Sequence, residues 1–450
     1  MYRATPFFLT TVLLSALLLL GGCANQTPRP EATASAASGP TIEQWTTRNG
    51  TRVLFVEARE LPMVDLYLMI DAGSARDGER PGLARLTANL LEAGADGLDL
   101  AELADRFEQL GAEFSASAGR SSASLSLRSL SDPAILEPAL NNFARILQRP
   151  DFPEADLRRE VARTLVSLRA QRQSPGAVAG NLVWQTLYAD HPYAHNPLGS
   201  EASLAALGRS DLQQFHARHY TGANSVLAIV GDLDRAAAEA VAEAAVGGLP
   251  SGSHHPSLPI ATPPAQGEHR VQSHPSAQSH IHVGLPLLGL DDPDHFALLV
   301  GNHILGGGSF TSRIFAQVRD QRGLAYSARS SITPLHGHGP LLLSMQTANA
   351  NADAALELLF NLLDDFITEG PSEAELVLAQ RNITGGFALN IDNNRKIVAQ
   401  VAAIGFNERP LDWLDRYNEA VNAVTVEQIR DAFQRRVDPK RMSVIRVGGE

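Results

Sequence analysis

Apolar residues alternate with polar ones in short runs that recur along the chain. Val64, Leu66, Leu68 and Ile70 share one face of a strand, and Ile281, Val283 and Leu285 do the same about 217 positions later. Ala123, Leu125 and Leu127 alternate, as do Leu341, Leu343 and Met345. A helical face of Leu136, Ala139, Leu140, Phe143 and Leu147 has its counterpart between Ala354 and Phe366. Phe215-x-x-Arg218 before Ser225-Val226-Leu227 matches Phe433-x-x-Arg436 before Ser443-Val444-Ile445 at an offset of 218. Elements in the same order at nearly constant offset predict an internal duplication. The expected fold class is α+β, with two homologous domains over 42–250 and 271–450. Each domain is an antiparallel sheet with helices packed on one face. The stretch 251–270, rich in Pro, Ser, Gly and His, reads as a linker. Two such halves facing each other as a clamshell would enclose a cavity between their sheets.

The amino terminus breaks this pattern. Arg3 precedes an apolar run from Phe7 to Leu20 that is short for a membrane span, which needs about 20 apolar residues. The run ends in Leu20-Gly21-Gly22-Cys23, which resembles the lipobox of bacterial lipoproteins. That resemblance implies a signal peptide over 1–22, lipid attachment at Cys23 and a cell-envelope location facing the periplasm. Ala24, where an Asp would retain such a protein at the inner membrane, favours the outer one. Residues 23–41 are small, polar and Pro-containing, as a flexible tether requires.

Composition narrows the chemistry. The 450 residues carry 37 Lys+Arg against 49 Asp+Glu, a net charge of −12 without a basic run, which excludes a nucleic-acid partner. Cys23 is the single cysteine, so disulfide frameworks, thiolate zinc sites and iron–sulfur clusters are excluded as well. A metal would need histidine and carboxylate ligands. His216-x-x-His219, His254-His255, His280-x-His282 and His336-x-His338 are the candidate pairs. None has a carboxylate at a helical spacing that completes three ligands, and each reads as structural.

Three stretches are similar to the insulinase-type (pitrilysin, M16) metallopeptidases: Asp71-Ala72-Gly73-Ser74-Ala75-Arg76-Asp77 with Gly82-Leu83-Ala84; His191-Pro192-Tyr193 with Pro197-Leu198-Gly199, Tyr220-x-x-x-Asn224 and Val230-Gly231-Asp232; and Gly306-Gly307-Gly308-Ser309-Phe310-Thr311-Ser312-Arg313 with Arg319-x-x-x-Gly323-Leu324-Ala325-Tyr326-Ser327. The resemblance implies a zinc helix bearing His-x-x-Glu-His and a further Glu downstream. Histidines at i and i+4 reach one metal from one helical face, and the Glu serves as base. Here Arg85 and Asn89 stand at the two histidines, Ala88 at the glutamate and Ser167 near the downstream position. Arg carries no lone pair for zinc and Ala no proton acceptor. Glu160 reads either as a leftover of the carboxylate-bearing helix or as a solvated charge.

Arg319 and Tyr326 match the pair that, in catalytically competent relatives, closes over the substrate. They read either as substrate-binding residues or as a helix cap and a buried strand start. Gly306 to Gly308 lacks a phosphate-loop ending and reads as a bend. The resemblance therefore implies a non-catalytic subunit of a heterodimeric M16-type peptidase. This chain would hold no cofactor, zinc being expected in a homologous partner subunit, and the pair would bind a peptide or unfolded polypeptide. The alternative is a peptide-binding or scaffold protein of the envelope with no role in proteolysis. A self-sufficient enzyme using another histidine site is the third reading.

Overall fold

The computed structural model describes residues 39–449; the signal segment, Cys23 and nearly all of the tether expected above lie outside them. The first half contains β1 (Glu43–Thr46), β2 (Arg52–Glu57), β3 (Met63–Ile70), a small hairpin of β4 (Gly94–Ala95) and β5 (Leu98–Asp99), β6 (Glu113–Ala118), β7 (Ala123–Leu130) and β8 (Ser225–Gly231). Its helices are α1 (Leu83–Asn89), α2 (Leu100–Leu110), α3 (Pro133–Gln148), α4 (Glu154–Gln173), α5 (Pro175–Tyr188), α6 (Glu201–Ala206), α7 (Arg209–His219) and α8 (Arg235–Val246). The second half contains β9 (His269–Gln272), β10 (Gln278–Leu288), β11 (Ala325–Ile332), β12 (Gly339–Ala348) and β13 (Ser443–Val447). Its helices are α9 (His295–Asn302), α10 (Ala352–Glu369), α11 (Glu373–Phe387), α12 (Asn394–Phe406), α13 (Trp413–Asn422) and α14 (Val426–Arg436).

The duplication is visible in the sheets. The first runs β1-β2-β8-β3-β7-β6 and the second β9-β13-β10-β12-β11, the same order with one extra edge strand in the first. Neighbours are antiparallel except β2 with β8 and β9 with β13. Those parallel pairs arise because, after β7 and after β12, the chain leaves each sheet for 94 residues of mostly helix and returns beside an early strand, β2 or β9. The alternating residues expected to face inward do so: Val64, Leu66, Leu68 and Ile70 enter one core, and Ile281, Val283 and Leu285 the other. α3 covers the first sheet from within through Leu136, Ala139, Leu140 and Phe143. It starts where Asp132 accepts from the backbone N–H of Ala134, with Pro133 in the first turn.

The outward faces are covered by exchange. α12 of the second half lies on β2, β8 and β3 of the first, setting Val398, Val401, Ala402 and Ile404 against Leu54, Val56, Val226 and Val230. α5 of the first half lies on β10 and β13 of the second, setting Ala179, Val183 and Leu187 against Ile445 and Val447. Burial of each such aliphatic side chain contributes roughly 1.5–3 kcal/mol, so these two cores tie the halves together. Close approach needs Gly405, where a Cβ would lie 2.6 Å from both Leu54 and Val226. The exchanged helices therefore fill much of the space between the halves, and the cavity expected there from the sequence is a cleft lined by residues of both halves and of the segment that joins them.

The segment after α8 forms no helix or strand until β9, yet it is tied to both halves. Pro250 accepts from the N–H of Gly222 (2.8 Å), Asn224 Oδ1 accepts from His255 N (3.0 Å), and Ala261 N donates to Gly337 O (3.0 Å). Its polar composition follows from this role, because its backbone groups are satisfied at the surface of each half.

Candidate functional site

The helix at the expected zinc position is built, but not for zinc. Asp77, buried at the end of the Asp71–Asp77 stretch, accepts from the backbone N–H groups of Gly82 (2.8 Å) and Ala84 (2.7 Å) and is reached by His195 Nε2 at 3.2 Å. Burial raises its carboxyl above the usual range, and these three contacts oppose the rise. Leu83, Ala84, Leu86 and Ala88 of α1 face the core, Arg85 is exposed and Asn89 half-buried. Asn89 Nδ2 donates to Glu160 Oε1 on α4 at 2.9 Å, and Arg163 pairs with the same carboxylate at 2.8 Å.

Ser167, which the resemblance places near the downstream glutamate, makes no contact with α1 through its hydroxyl. That hydroxyl donates to the Arg163 carbonyl of its own helix at 3.2 Å, two turns beyond the place where α4 meets α1. Glu160 is the carboxylate facing the old ligand helix. Its signal in the sequence was that it is the last acidic residue of α4, ahead of a run of Arg and apolar positions. The donor set does not fit a zinc ion: a guanidinium, a methyl, an amide and one carboxylate already paired with Arg163. Among the described residues, no three His, Cys, Asp or Glu side chains converge as metal ligands.

The histidine pairs are likewise separated. His216 Nε2 reaches the Leu147 carbonyl (2.8 Å), and burial lowers it to about 4. His219 Nδ1 meets His255 Nε2 (2.8 Å), and burial lowers it to about 3. His282 Nδ1 is hydrogen-bonded to Ser344 Oγ (2.8 Å) and is lowered to about 4 by burial. Near neutral pH these three rings are uncharged. His254, His255 and His336 line a cleft of about 710 Å³ at the junction of the halves, together with Arg52, Asp71 and Arg76.

Arg319 and Tyr326 are brought together. After α9 the chain winds through wider π-type turns at His303–Gly307 and Phe315–Gln321. Gly306 passes so close to β11 that a Cβ there would lie 2.5 Å from the Ser330 nitrogen, so the glycines serve close approach. Arg313 anchors the segment by binding Glu375 of α11 through Nε (2.6 Å) and Nη2 (2.7 Å), which pulls that carboxyl down to about 2. The Arg319 guanidinium then lies between two rings, 4.7 Å from Phe315 and 4.7 Å from Tyr326. Each such stack contributes about 0.5–1 kcal/mol at an exposed site.

Tyr326 sits in a β-bulge. Ala325 pairs with Thr347 and Ser327 with Gln346, so Tyr326 has no partner residue and its ring turns outward. It is 78% exposed, which removes the reading of a buried strand start. Arg319 has no carboxylate within ion-pair distance among the described residues, so it is not a fixed surface bridge. Phe310, 74% exposed and edge-on to Phe315 at 4.9 Å, completes the patch; sequence reasoning did not single it or Phe315 out.

Comparison with known proteins follows the same lines. Residues 52–201 match the insulinase (peptidase family M16) profile, and residues 206–383 match the peptidase M16 inactive domain. The crystal structure of a peptidase M16 inactive domain from Pseudomonas fluorescens superposes with a TM-score of 0.88 at 36% identity, over 91% of this chain and 98% of that one. The chain belongs to the M16 peptidase family. A protease from Helicobacter pylori shares the fold at a TM-score of 0.84 and 18% identity, over 91% of this chain and 100% of that one. Among M16 relatives, a protein of Mycobacterium leprae named an uncharacterized zinc protease is 23% identical over 89% of this chain and 90% of its own length. A Helicobacter pylori protein named a non-peptidase homolog is 25% identical over 84% of this chain and 87% of its own length.

The α1–α4 geometry makes a restoration testable. The double variant Arg85→His/Asn89→His should gain one bound zinc per chain, read by metal analysis, because Glu160 supplies the third ligand. Adding Glu160→Ala should abolish that zinc and adding Ser167→Ala should not; the reverse result would restore the original alignment.

Proposed function

We propose that this chain is the zinc-free subunit of a heterodimeric M16-type peptidase and that it contributes Arg319 and Tyr326 to the site of a zinc-bearing homologue. One observation carries the reading. The α1 helix carries no zinc ligands at Arg85, Ala88 and Asn89, while Tyr326 is exposed and stacked on a half-buried Arg319 that has no carboxylate partner among the described residues.

The chemistry divides between the subunits. Zinc in the partner would polarise the scissile carbonyl and activate water. In this chain, the planar Arg319 fork holds a peptide carbonyl and so fixes the substrate backbone. The Tyr326 hydroxyl donates a hydrogen bond to the oxygen on which charge develops. The aromatic sandwich restricts the guanidinium before substrate arrives, which lowers the ordering cost of binding. In this reading the substrate space is the one enclosed by two chains, into which Tyr326 points from an exposed strand edge.

Localisation is part of the proposal. A lipid on Cys23 followed by the polar tether would hold the subunit at the periplasmic face of the envelope, in the outer membrane. A Cys23→Ala variant should lose lipid labelling and leave the membrane fraction; retention at the membrane would refute the anchor.

In the mixed complex, Tyr326→Phe should lower kcat by roughly 10²-fold, the cost of removing one donor to a developing oxyanion, and Arg319→Ala should raise KM through the lost hold on the peptide carbonyl. Thermal stability should be unchanged in Tyr326→Phe, which keeps the stacked ring, and should fall by about 1–2 kcal/mol in Arg319→Ala, which removes both stacks. Unaltered turnover would remove the pair from the mechanism.

A further inference from the structure

The outward faces of the two sheets differ in charge. On the first, α12 leaves β7 and β6 uncovered, and everything polar there is satisfied. Ser115 pairs with Ser126 (2.8 Å) and Ser117 with Ser124 (3.1 Å). Arg128 holds Asp65 with two hydrogen bonds (2.8 and 3.0 Å), and Glu113 is taken by Arg395 of α12. On the second sheet, α5 covers β10 and β13 and leaves β12 and β11 open. There His282, Ser344 and Arg329 stand in one row across three strands. His282 is occupied by Ser344, and Arg329, exposed on the edge strand, has no carboxylate within ion-pair distance among the described residues. Arg313, Arg435, Arg436 and Arg446 of the same half all hold carboxylates.

This row continues the Arg319–Tyr326 patch. The bulge turns Tyr326, Ser327 and Arg329 outward together, while Ala325, Ala328 and Ser330 are buried. Tyr326 and Arg329 are three residues apart, about 10 Å at roughly 3.3 Å per residue. An extended peptide rises at the same rate, so a peptide laid along β11 reaches Arg329 about three residues from the carbonyl at Tyr326.

We propose that the open face of β11 and β12 is a carboxylate subsite, in which Arg329, with Ser344 beside it, takes an acidic side chain of the peptide about three residues from the bond held at Arg319 and Tyr326. This rests on the substrate-binding role proposed above and adds a substrate class to it: peptides with an Asp or Glu at a fixed distance from the cleaved bond. Arg suits the task because its fork matches a carboxylate and such charge-assisted bonds are stronger than neutral ones.

The test uses the full chain alone and labelled alanine-based peptides in which a single Glu is moved position by position, each with a Gln control. Fluorescence anisotropy should show one position where Glu binds about tenfold more tightly than Gln. The difference should shrink with salt, vanish in Arg329→Gln and persist in part in Arg329→Lys. No position-dependent preference, or a preference that survives Arg329→Gln, overturns the subsite. Because binding is read without the partner, absence of turnover in the mixed complex would sink the subunit reading and leave this one standing. In an active complex the cuts should fall about three residues from the Glu; cuts unrelated to it overturn the placement.

Discussion

The exchange of α5 and α12 is the constraint on which the rest of the molecule depends. Each half supplies an apolar helix face that its own sheet does not use, and each sheet supplies an outward face that only the other half covers. Leu54, Val56, Val226 and Val230 would otherwise form an exposed apolar patch of the kind soluble proteins avoid. Once interlocked, the halves hold the α1 helix and the Arg319–Tyr326 patch in one compact unit. They also leave parts of each outward face bare, and those bare parts carry the polar groups that the functional reading uses.

The same division explains how α1 can hold its place with no metal-ligating residues on it. Leu83, Ala84, Leu86 and Ala88 pack inward, and Asp77 caps the helix from below. The positions that would ligate a metal, Arg85 and Asn89, lie on the other side, where packing does not decide the residue. Replacing them costs the fold little, and the Asn89 amide donates to Glu160, so that this carboxylate is satisfied by side chains. In the second half the pattern is the reverse. Phe310 and Tyr326 are large, aromatic and exposed, which the core does not require.

Much of this was legible in the sequence. Period-two alternation and the repeat at about 217 positions located both sheets, and the outward-facing Leu342 and Ile445 were hidden among them because alternation shows a covered face only once. The helix exchange was not legible, since Val398, Val401 and Ala402 have the same spacing whether they bury against their own sheet or another. Glu160 could be read either as a leftover of the carboxylate-bearing helix or as a solvated charge for a related reason. Spacing along one helix fixes a face, but the distance between two helices depends on the loop that joins them. Tyr326 could be read either way from pattern alone, because a single bulge residue reverses which face a side chain takes.

The central claim is a division of labour between two chains, one holding the metal and one holding the substrate oxygen. It is tested most directly by titrating this chain into a fixed amount of a zinc-bearing M16 homologue from the same organism while following cleavage of a quenched peptide. The account predicts no cleavage by this chain alone, and turnover that rises to a plateau at one chain per homologue and is abolished by a chelator. Full activity of the homologue without this chain, or chelator-insensitive cleavage by this chain on its own, would contradict it.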